Sequence, residues 1–401
     1  MNKPGWLLFL LYIGIVLVIL IRVYVERTNY TTPDSHFYLR AAENLNSGKG
    51  IIAPYTYPFD DSNDERYFAI WPIGYPTLIA FVSRVTSTST LISSKILNLI
   101  FLGFIFLLLY NWFGKFAWFP ALYFCSYNML EVFSYTWSEG PFLFFVLLLG
   151  RILIDDLSEG SNKYLILKLS SILVSLFLLR YAGLIYFLFV GGLLILHIRQ
   201  GNKRKSIQYF FSLLASSLLV IIYLGFNYLK TGYLTGGERV FPKQESFSHF
   251  FSLLGKGVLN ELTIARNYYF DGKIDYIYIL LLLLQLSVVF ILIKRRSYMV
   301  NYNFGSLYPK TLLYLGLFYF VLIIILRKIT PFDPFDYRIL SPFSVPIYIG
   351  LFVTLSKQVN IEYFKKISIW ASLFMLISLA ANLPKMYILG IAVDTFNQII
   401  K

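Results

Sequence analysis

Residues 31–39 read Thr31-Thr32-Pro33-Asp34-Ser35-His36-Phe37-Tyr38-Leu39, and they follow closely on the apolar run 6–25. Together the two stretches decide the fold class. A run of that length suffices to cross a bilayer, which takes roughly 20 residues. The polar stretch after it returns to water and is equipped to start a helix: Thr32 is placed to cap it, with Pro33 at the first helical position. Phe37, Tyr38, Ala41, Ala42 and Leu45 then recur at helical spacing, and Gly48 and Gly50 end the pattern. The spacing predicts an amphipathic helix on the membrane surface, with Asp34 in its first turn.

Outward from this point the chain is mostly hydrocarbon. Of 401 residues, 57% are hydrophobic and only 14% charged, with a mean hydropathy of +0.65. A soluble core of this length would need far more polar surface, so the composition predicts an all-α polytopic membrane protein. The net charge of +14 comes from Lys and Arg scattered at span ends and in loops. No continuous basic stripe forms, which argues against nucleic acid and for topology signals and anionic-lipid contacts. The single cysteine, Cys125, allows no intrachain disulfide. Lys3 precedes the first apolar run and no small-residue cleavage site follows it, so that run reads as a retained signal anchor.

Candidate spans are 6–25, 91–112, 116–134, 140–155, 164–180, 181–198, 207–229, 276–293, 311–327, 339–355 and 367–384. The stretch 164–198 is divided by Arg180-Tyr181-Ala182-Gly183. Lys163 lies before it and Arg199, Lys203, Arg204 and Lys205 after it; placing both groups inside requires two spans and a tight outer turn. The same rule puts Lys294, Arg295, Arg296 and Lys310 inside, with Lys357, Lys365 and Lys366. About eleven spans result, with the N-terminus inside. The chain reads as one transmembrane domain, 1–401, with large outer loops at 26–90 and 230–275. Helices are expected in them at about Gly74 to Val85, and around Phe247, Phe250, Phe251, Leu254, Val258 and Leu262. No inner loop is long enough for a nucleotide-binding domain.

Several polar residues could carry chemistry on that outer side. Asp34 suits the positive end of a helix dipole, and the same dipole keeps a carboxylate ionised to accept a proton; capping and catalysis are compatible. Arg338 follows Asp333, Pro334, Phe335 and Asp336 at an outer span end, and its planar fork matches a phosphate as well as it would an acid. Arg180 occupies the tight turn, Glu139 the outer start of a span, and Arg66 the first outer loop. The run Asp60-Asp61-Ser62-Asn63-Asp64-Glu65 lacks the glycine and distal acid of a calcium loop. His36, His197 and His249 form no zinc pattern. No motif supports a divalent cation or another cofactor.

The order of these motifs resembles that of GT-C glycosyltransferases. Asp34-Ser35-x-x-Tyr38-x-x-Ala41, Gly48-x-Gly50 and Trp71-Pro72-Ile73-Gly74-Tyr75-Pro76 are similar to the first outer loop of bacterial relatives of protein mannosyltransferases and aminoarabinose transferases. Ser138-Glu139-Gly140-Pro141, Arg180-Tyr181-Ala182-Gly183, Asn227-Tyr228 with Thr231-Gly232, and Tyr337-Arg338-Ile339-Leu340-Ser341-Pro342 follow in the expected order. The resemblance implies transfer of a sugar from a polyprenyl-phosphate-linked donor to a hydroxyl of a lipid, glycan or protein acceptor. It implies inversion with Asp34 as general base, at the outer face of the cytoplasmic membrane. Glu139, Arg338, Arg180, Arg66, Tyr337 and Tyr38 are the implied donor and substrate contacts. Ser35 stands where many relatives carry Glu, and Trp71 where the aminoarabinose branch often carries a basic residue.

Two other readings compete. An O-antigen polymerase or ligase shares the topology but normally carries its main outer loop late in the chain, whereas here it follows the first span. A transporter usually has charged or broken helices at mid-membrane in repeated halves. Here the charges cluster at span ends and the halves do not match.

Overall fold

The computed structural model describes residues 3–54, 65–159, 164–237, 245–264, 269–270, 273–274, 276–294, 307–330, 332–358 and 361–384. Among them the chain is almost entirely helical: α1 (Lys3–Val25), α2 (Pro33–Asn46), α3 (Gly74–Thr86), α4 (Thr90–Phe113), α5 (Trp118–Ala121), α6 (Tyr127–Ser134), α7 (Glu139–Glu159) and α8 (Leu165–Leu179). Then come α9 (Leu184–Arg199), α10 (Lys203–Thr231), α11 (Phe247–Leu262), α12 (Tyr276–Lys294), α13 (Leu307–Ile329), α14 (Tyr337–Gln358) and α15 (Ile361–Ala381). A small hairpin pairs β1 (Ile52–Pro54) with β2 (Glu65–Tyr67).

Among the described residues seven helical stretches are long and apolar enough to cross a membrane, and each coincides with an expected span. The other four expected spans fall on shorter, broken or more polar helices. One of these, 116–134, is divided into a 3-10 turn at Gly114–Phe116, α5, a second 3-10 turn at Leu122–Cys125, and α6. Pro120 supplies no amide, and Ser126 restarts the helix by accepting a hydrogen bond from the Met129 amide at 3.4 Å. Broken backbone is tolerated at membrane depth only where protein covers it. Here Phe119, Leu122, Tyr123, Phe124 and Met129 are all buried. Large apolar side chains such as Leu10, Leu17, Ile222 and Leu280 are instead exposed around the bundle. Exposure on that scale suits hydrocarbon rather than water.

The expected loop helices are present, with one change of role. α2 keeps an exposed polar face, with Arg40 and Glu43 side chains 42% and 52% exposed, but turns its apolar face to the protein. Its Phe37, Tyr38, Ala41 and Ala42 are buried in the main apolar cluster with Tyr75, Ile79 and Leu97. In α11 the buried face is Phe250, Gly257 and Glu261, whereas Phe247, Phe251 and Leu262 are exposed. Phe250, Leu254 and Val258 of the expected apolar stripe are buried or half-buried, and Gly257 and Glu261 complete the face turned to the protein.

Two local features set the site. Arg180 takes an extended backbone conformation between α8 and the 3-10 turn Tyr181–Gly183, so two helices meet with almost no loop, as expected. A Cβ on Gly183 would lie 2.4 Å from the Leu176 carbonyl carbon, so only glycine permits this approach. At the same end of the bundle Lys95 Nζ donates to the Tyr30 and Ser134 carbonyls, at 3.0 and 2.8 Å. That side chain joins the first loop, α4 and α6. Asp60 to Asp64, in the acidic run, lie outside the described residues; Glu65 accepts hydrogen bonds from Arg40 and Asn44, at 2.8 and 2.9 Å.

Candidate active site

Asp34 sits in the first turn of α2, where the exposed amides and the dipole favour an anion. Its helix start is fixed from outside: Ser35 Oγ donates to the Thr136 carbonyl at 2.9 Å and accepts from the Thr32 amide at 3.0 Å. Glu139 opens α7, Arg180 ends α8, and Arg338 lies in the first turn of α14. These residues come from four separate parts of the chain and meet in one cluster.

Their contacts form a continuous line. Arg338 Nη2 donates to Asp34 Oδ2 at 2.7 Å, and Arg338 Nε donates to Glu139 Oε1 at 3.1 Å. Arg180 Nη1 pairs with the same Glu139 oxygen. Glu139 is only 1% exposed, so its charge is tolerable only because two guanidinium groups hold it. Within the line, two acids and two arginines cancel.

The cluster closes one end of a cavity of about 1250 Å³. Asp34, Arg180, Arg338, Asp333 and Asp336 line that end. Much of the remaining wall is apolar, with Leu184, Ile185 and Leu188 from α9 and Leu322, Ile323 and Leu326 from α13, beside Ser138, Ser217 and Thr330. Leu188 is 61% exposed, so the apolar end is open toward the side of the bundle that would face lipid. The cavity is thus amphipathic along its length.

Tyr38 also lines the cavity, one turn after Asp34, with its ring edge-on to Tyr75 at 5.1 Å. Burial pushes its hydroxyl well above the usual tyrosine range, and the nearby Glu139 and Asp34 carboxylates add to this. It is a neutral phenol there. The other two expected contacts lie elsewhere. The Tyr337 hydroxyl donates to Glu131 Oε2 at 3.3 Å, beside the Arg22–Glu131 ion pair, and does not line the cavity. Arg66 is exposed on β2, paired in register with Ala53, and is also absent from the lining.

Asp336 is a lining residue that the sequence pattern presents only as a neighbour of Arg338. Its Oδ1 accepts from the Ile339 amide at 3.2 Å, which makes it the cap of α14. An Asp before an apolar run is a recognisable helix start and could have singled it out. Burial pushes its carboxyl up to about 6, against the opposing pull of Arg338. Among the described residues no three or more His, Cys, Asp or Glu side chains gather as metal ligands.

No protein-family profile and no curated protein sequence matches the chain. Among solved structures, the crystal structure of ArnT from Cupriavidus metallidurans in the apo state is similar over 92% of this chain, with a TM-score of 0.53. ArnT is an aminoarabinose transferase, a GT-C enzyme. This chain has a GT-C-like fold. Identity to ArnT is 11%, so the likeness concerns the fold, and this chain spans 62% of the length of ArnT. The GT-C-like fold agrees with the resemblance read from the motif order and with a multi-pass membrane protein.

Proposed function

We propose that this chain is an integral-membrane glycosyltransferase that moves a sugar from a polyprenyl-phosphate-linked donor to a hydroxyl acceptor, inverting the anomeric centre with Asp34 as general base. The observation that carries this reading is the amphipathic cavity, where an acid–arginine line meets an apolar slot open to the lipid side. A polyprenyl phosphate has the same division into an anionic head and a long hydrocarbon tail.

In this reading the tail lies between α9 and α13, and the phosphate meets Arg338 and Arg180. The acceptor oxygen attacks the anomeric carbon while Asp34 takes its proton. The bond from that carbon to the phosphate oxygen breaks, and the electron pair leaves with the phosphate. Guanidinium groups fixed beforehand stabilise the charge that develops there. Asp34 and the phosphate compete for Arg338 Nη2, so donor binding would loosen the hold on Asp34 and free it to meet the acceptor hydroxyl. Glu139 keeps both arginines in place throughout. Neither nucleotide nor metal is invoked. The acceptor is a lipid, glycan or protein hydroxyl, and the charge rule puts the site on the outer face of the cytoplasmic membrane.

The test adds a panel of polyprenyl-phosphate sugars and candidate acceptors to the purified protein. Wild type is compared with Asp34→Asn. A general base contributes about 10²–10⁴-fold, and a loss in that range is expected. If the variant transfers sugar as fast as wild type, Asp34 is not the base. Solute uptake into sealed vesicles without donor turnover would favour a transporter instead.

A further inference from the structure

We infer that Trp137 is a positioning residue for the Asp34–Arg338 pair, holding with one side chain both the helix that carries the acid and the plane of the guanidinium. The inference rests on the proposed function of the site. Trp137 lies in the short link between α6 and α7 and is 3% exposed. Its indole Nε1 donates to Thr32 Oγ1 at 3.0 Å, at the residue that caps α2 two positions before Asp34. Two more bonds stitch the same link to the same loop. The Thr136 amide donates to the Tyr30 carbonyl at 3.1 Å, and Ser35 Oγ donates to the Thr136 carbonyl at 2.9 Å.

The indole ring does the second half of the work. Tyr135 stacks on it at 4.0 Å with 7° between the planes, which fills one face. Arg338 Cζ lies 4.5 Å from the ring centroid, over the face that remains. Guanidinium and indole attract through the ring quadrupole, and the attraction strengthens where water is excluded. A guanidinium held over the ring in this way keeps its N–H groups for its carboxylate partners. Those groups make the bonds from Nε to Glu139 and from Nη2 to Asp34. A phosphate that enters the cavity therefore meets a guanidinium whose plane is already set, which lowers the ordering cost of binding.

A purely space-filling tryptophan would be replaceable by any apolar side chain of similar reach. The test therefore compares Trp137→Leu, which loses ring and N–H, with Trp137→Phe, which keeps a ring face. Thr32→Val removes the acceptor of the indole N–H, and with it the Oγ1 contact to Ser35 at the cap of α2. Binding of a sugar-free polyprenyl phosphate and the donor KM and kcat are measured for each in detergent. Apparent melting temperatures are recorded without ligand. Trp137→Leu should weaken binding and raise donor KM about tenfold, with kcat falling less, because the phosphate contact exists before the transition state. Trp137→Phe should recover most of this loss. Thr32→Val should cost at least about threefold, one neutral hydrogen bond setting the lower bound.

A cycle with Arg338→Lys then asks whether Trp137 acts through the guanidinium. The double variant should be little worse than Arg338→Lys alone, in donor binding and in melting. Fully additive losses in both, or wild-type binding and KM in Trp137→Leu, overturn the inference. If Trp137→Leu does not fold, Thr32→Val combined with Trp137→Phe decides: a double variant no worse than Thr32→Val in donor KM supports the inference, and additive losses or an unchanged KM in Thr32→Val overturn it. If wild type binds no polyprenyl phosphate, the proposed function of the site fails. The melting cycle then decides Trp137 alone, non-additivity supporting it and additivity overturning it.

Discussion

Arg338 Nη2 stands 2.7 Å from Asp34 Oδ2, a hydrogen-bonded ion pair between residues 304 positions apart in the chain. The same guanidinium reaches Glu139 through Nε at 3.1 Å. A planar fork serves both carboxylates at once, which a lysine ammonium at the end of a flexible stem would not reproduce. The pair therefore links the acid proposed as base to the cation proposed for the leaving phosphate.

Arg338→Lys is expected to keep the charge and lose the geometry. Loss of one well-aimed donor to developing charge costs about 10²–10³ in kcat. Arg338→Lys should fall at the lower end of that range and Arg338→Ala at the upper end, with donor KM raised in both. Steady-state kinetics with varied donor would read this. Equal activity in Arg338→Ala and wild type would remove Arg338 from the reaction.

Asp336 makes stability depend on pH in an unusual direction. Its carboxyl rises from an ordinary 3.8 to about 6 in the fold, chiefly through burial. The folded chain thus holds this proton more tightly than the unfolded one. The stabilising share is complete below about pH 4 and is lost as pH rises through about 6. A shift of about two pH units corresponds to about 3 kcal/mol, as an order of magnitude. Asp336→Asn retains a good cap, and it should melt above wild type at pH 8 while matching it near pH 4. Donor KM should rise above pH 6 in wild type, where a second anion appears beside the phosphate, and stay flat in the variant.

Two glycines in α11 are expected to behave in opposite ways. A Cβ on Gly257 would lie 2.4 Å from the Phe335 carbonyl oxygen, in the segment that leads to Asp336 and Arg338. A Cβ on Gly255 would have nothing within 4 Å, so a methyl group fits there without contact. Gly257→Ala should therefore cost about 1–3 kcal/mol of stability and reduce activity, because backbone must move. Gly255→Ala should stabilise by about 0.5–1 kcal/mol, as for an ordinary helix-interior glycine. Thermal melting of the two variants side by side checks the pair; a shared sign would show that α11 is not held where it packs on Phe335.

Arg22 and Glu131 form a second ion pair, with side chains 5% and 7% exposed, between α1 and α6. Removing one partner strands the other charge, and Arg22→Met should destabilise by about 3–5 kcal/mol. Adding Glu131→Leu removes the stranded charge and should recover much of that loss, apart from the hydrogen bond that Tyr337 gives up. Apparent melting temperatures of the single and double variants test it; a double variant no better than the single would mean that the pair is not what holds α1 there.

Much of this arrangement is legible in the sequence. Apolar runs longer than hydrocarbon thickness must cross it, so the spans follow from composition and length. Thr32 and Pro33 announce the start of α2, and glycines its end. Asp34, Glu139, Arg180 and Arg338 stand out because charged groups are rare in such a chain and share span ends on one side.

Pairing was decided by the tertiary structure alone. Nothing local distinguishes Arg338, which meets Asp34 and Glu139, from Arg66, which ends on an exposed strand, or Tyr337, which turns to Glu131. The buried stripe of α11 and the broken helix at 117–134 likewise depend on what packs against them. A sequence records which side chains can pair and how far a hydrophobic run can reach. Which partner each one meets is set by contacts hundreds of residues apart, whose energies exist only once the bundle has closed.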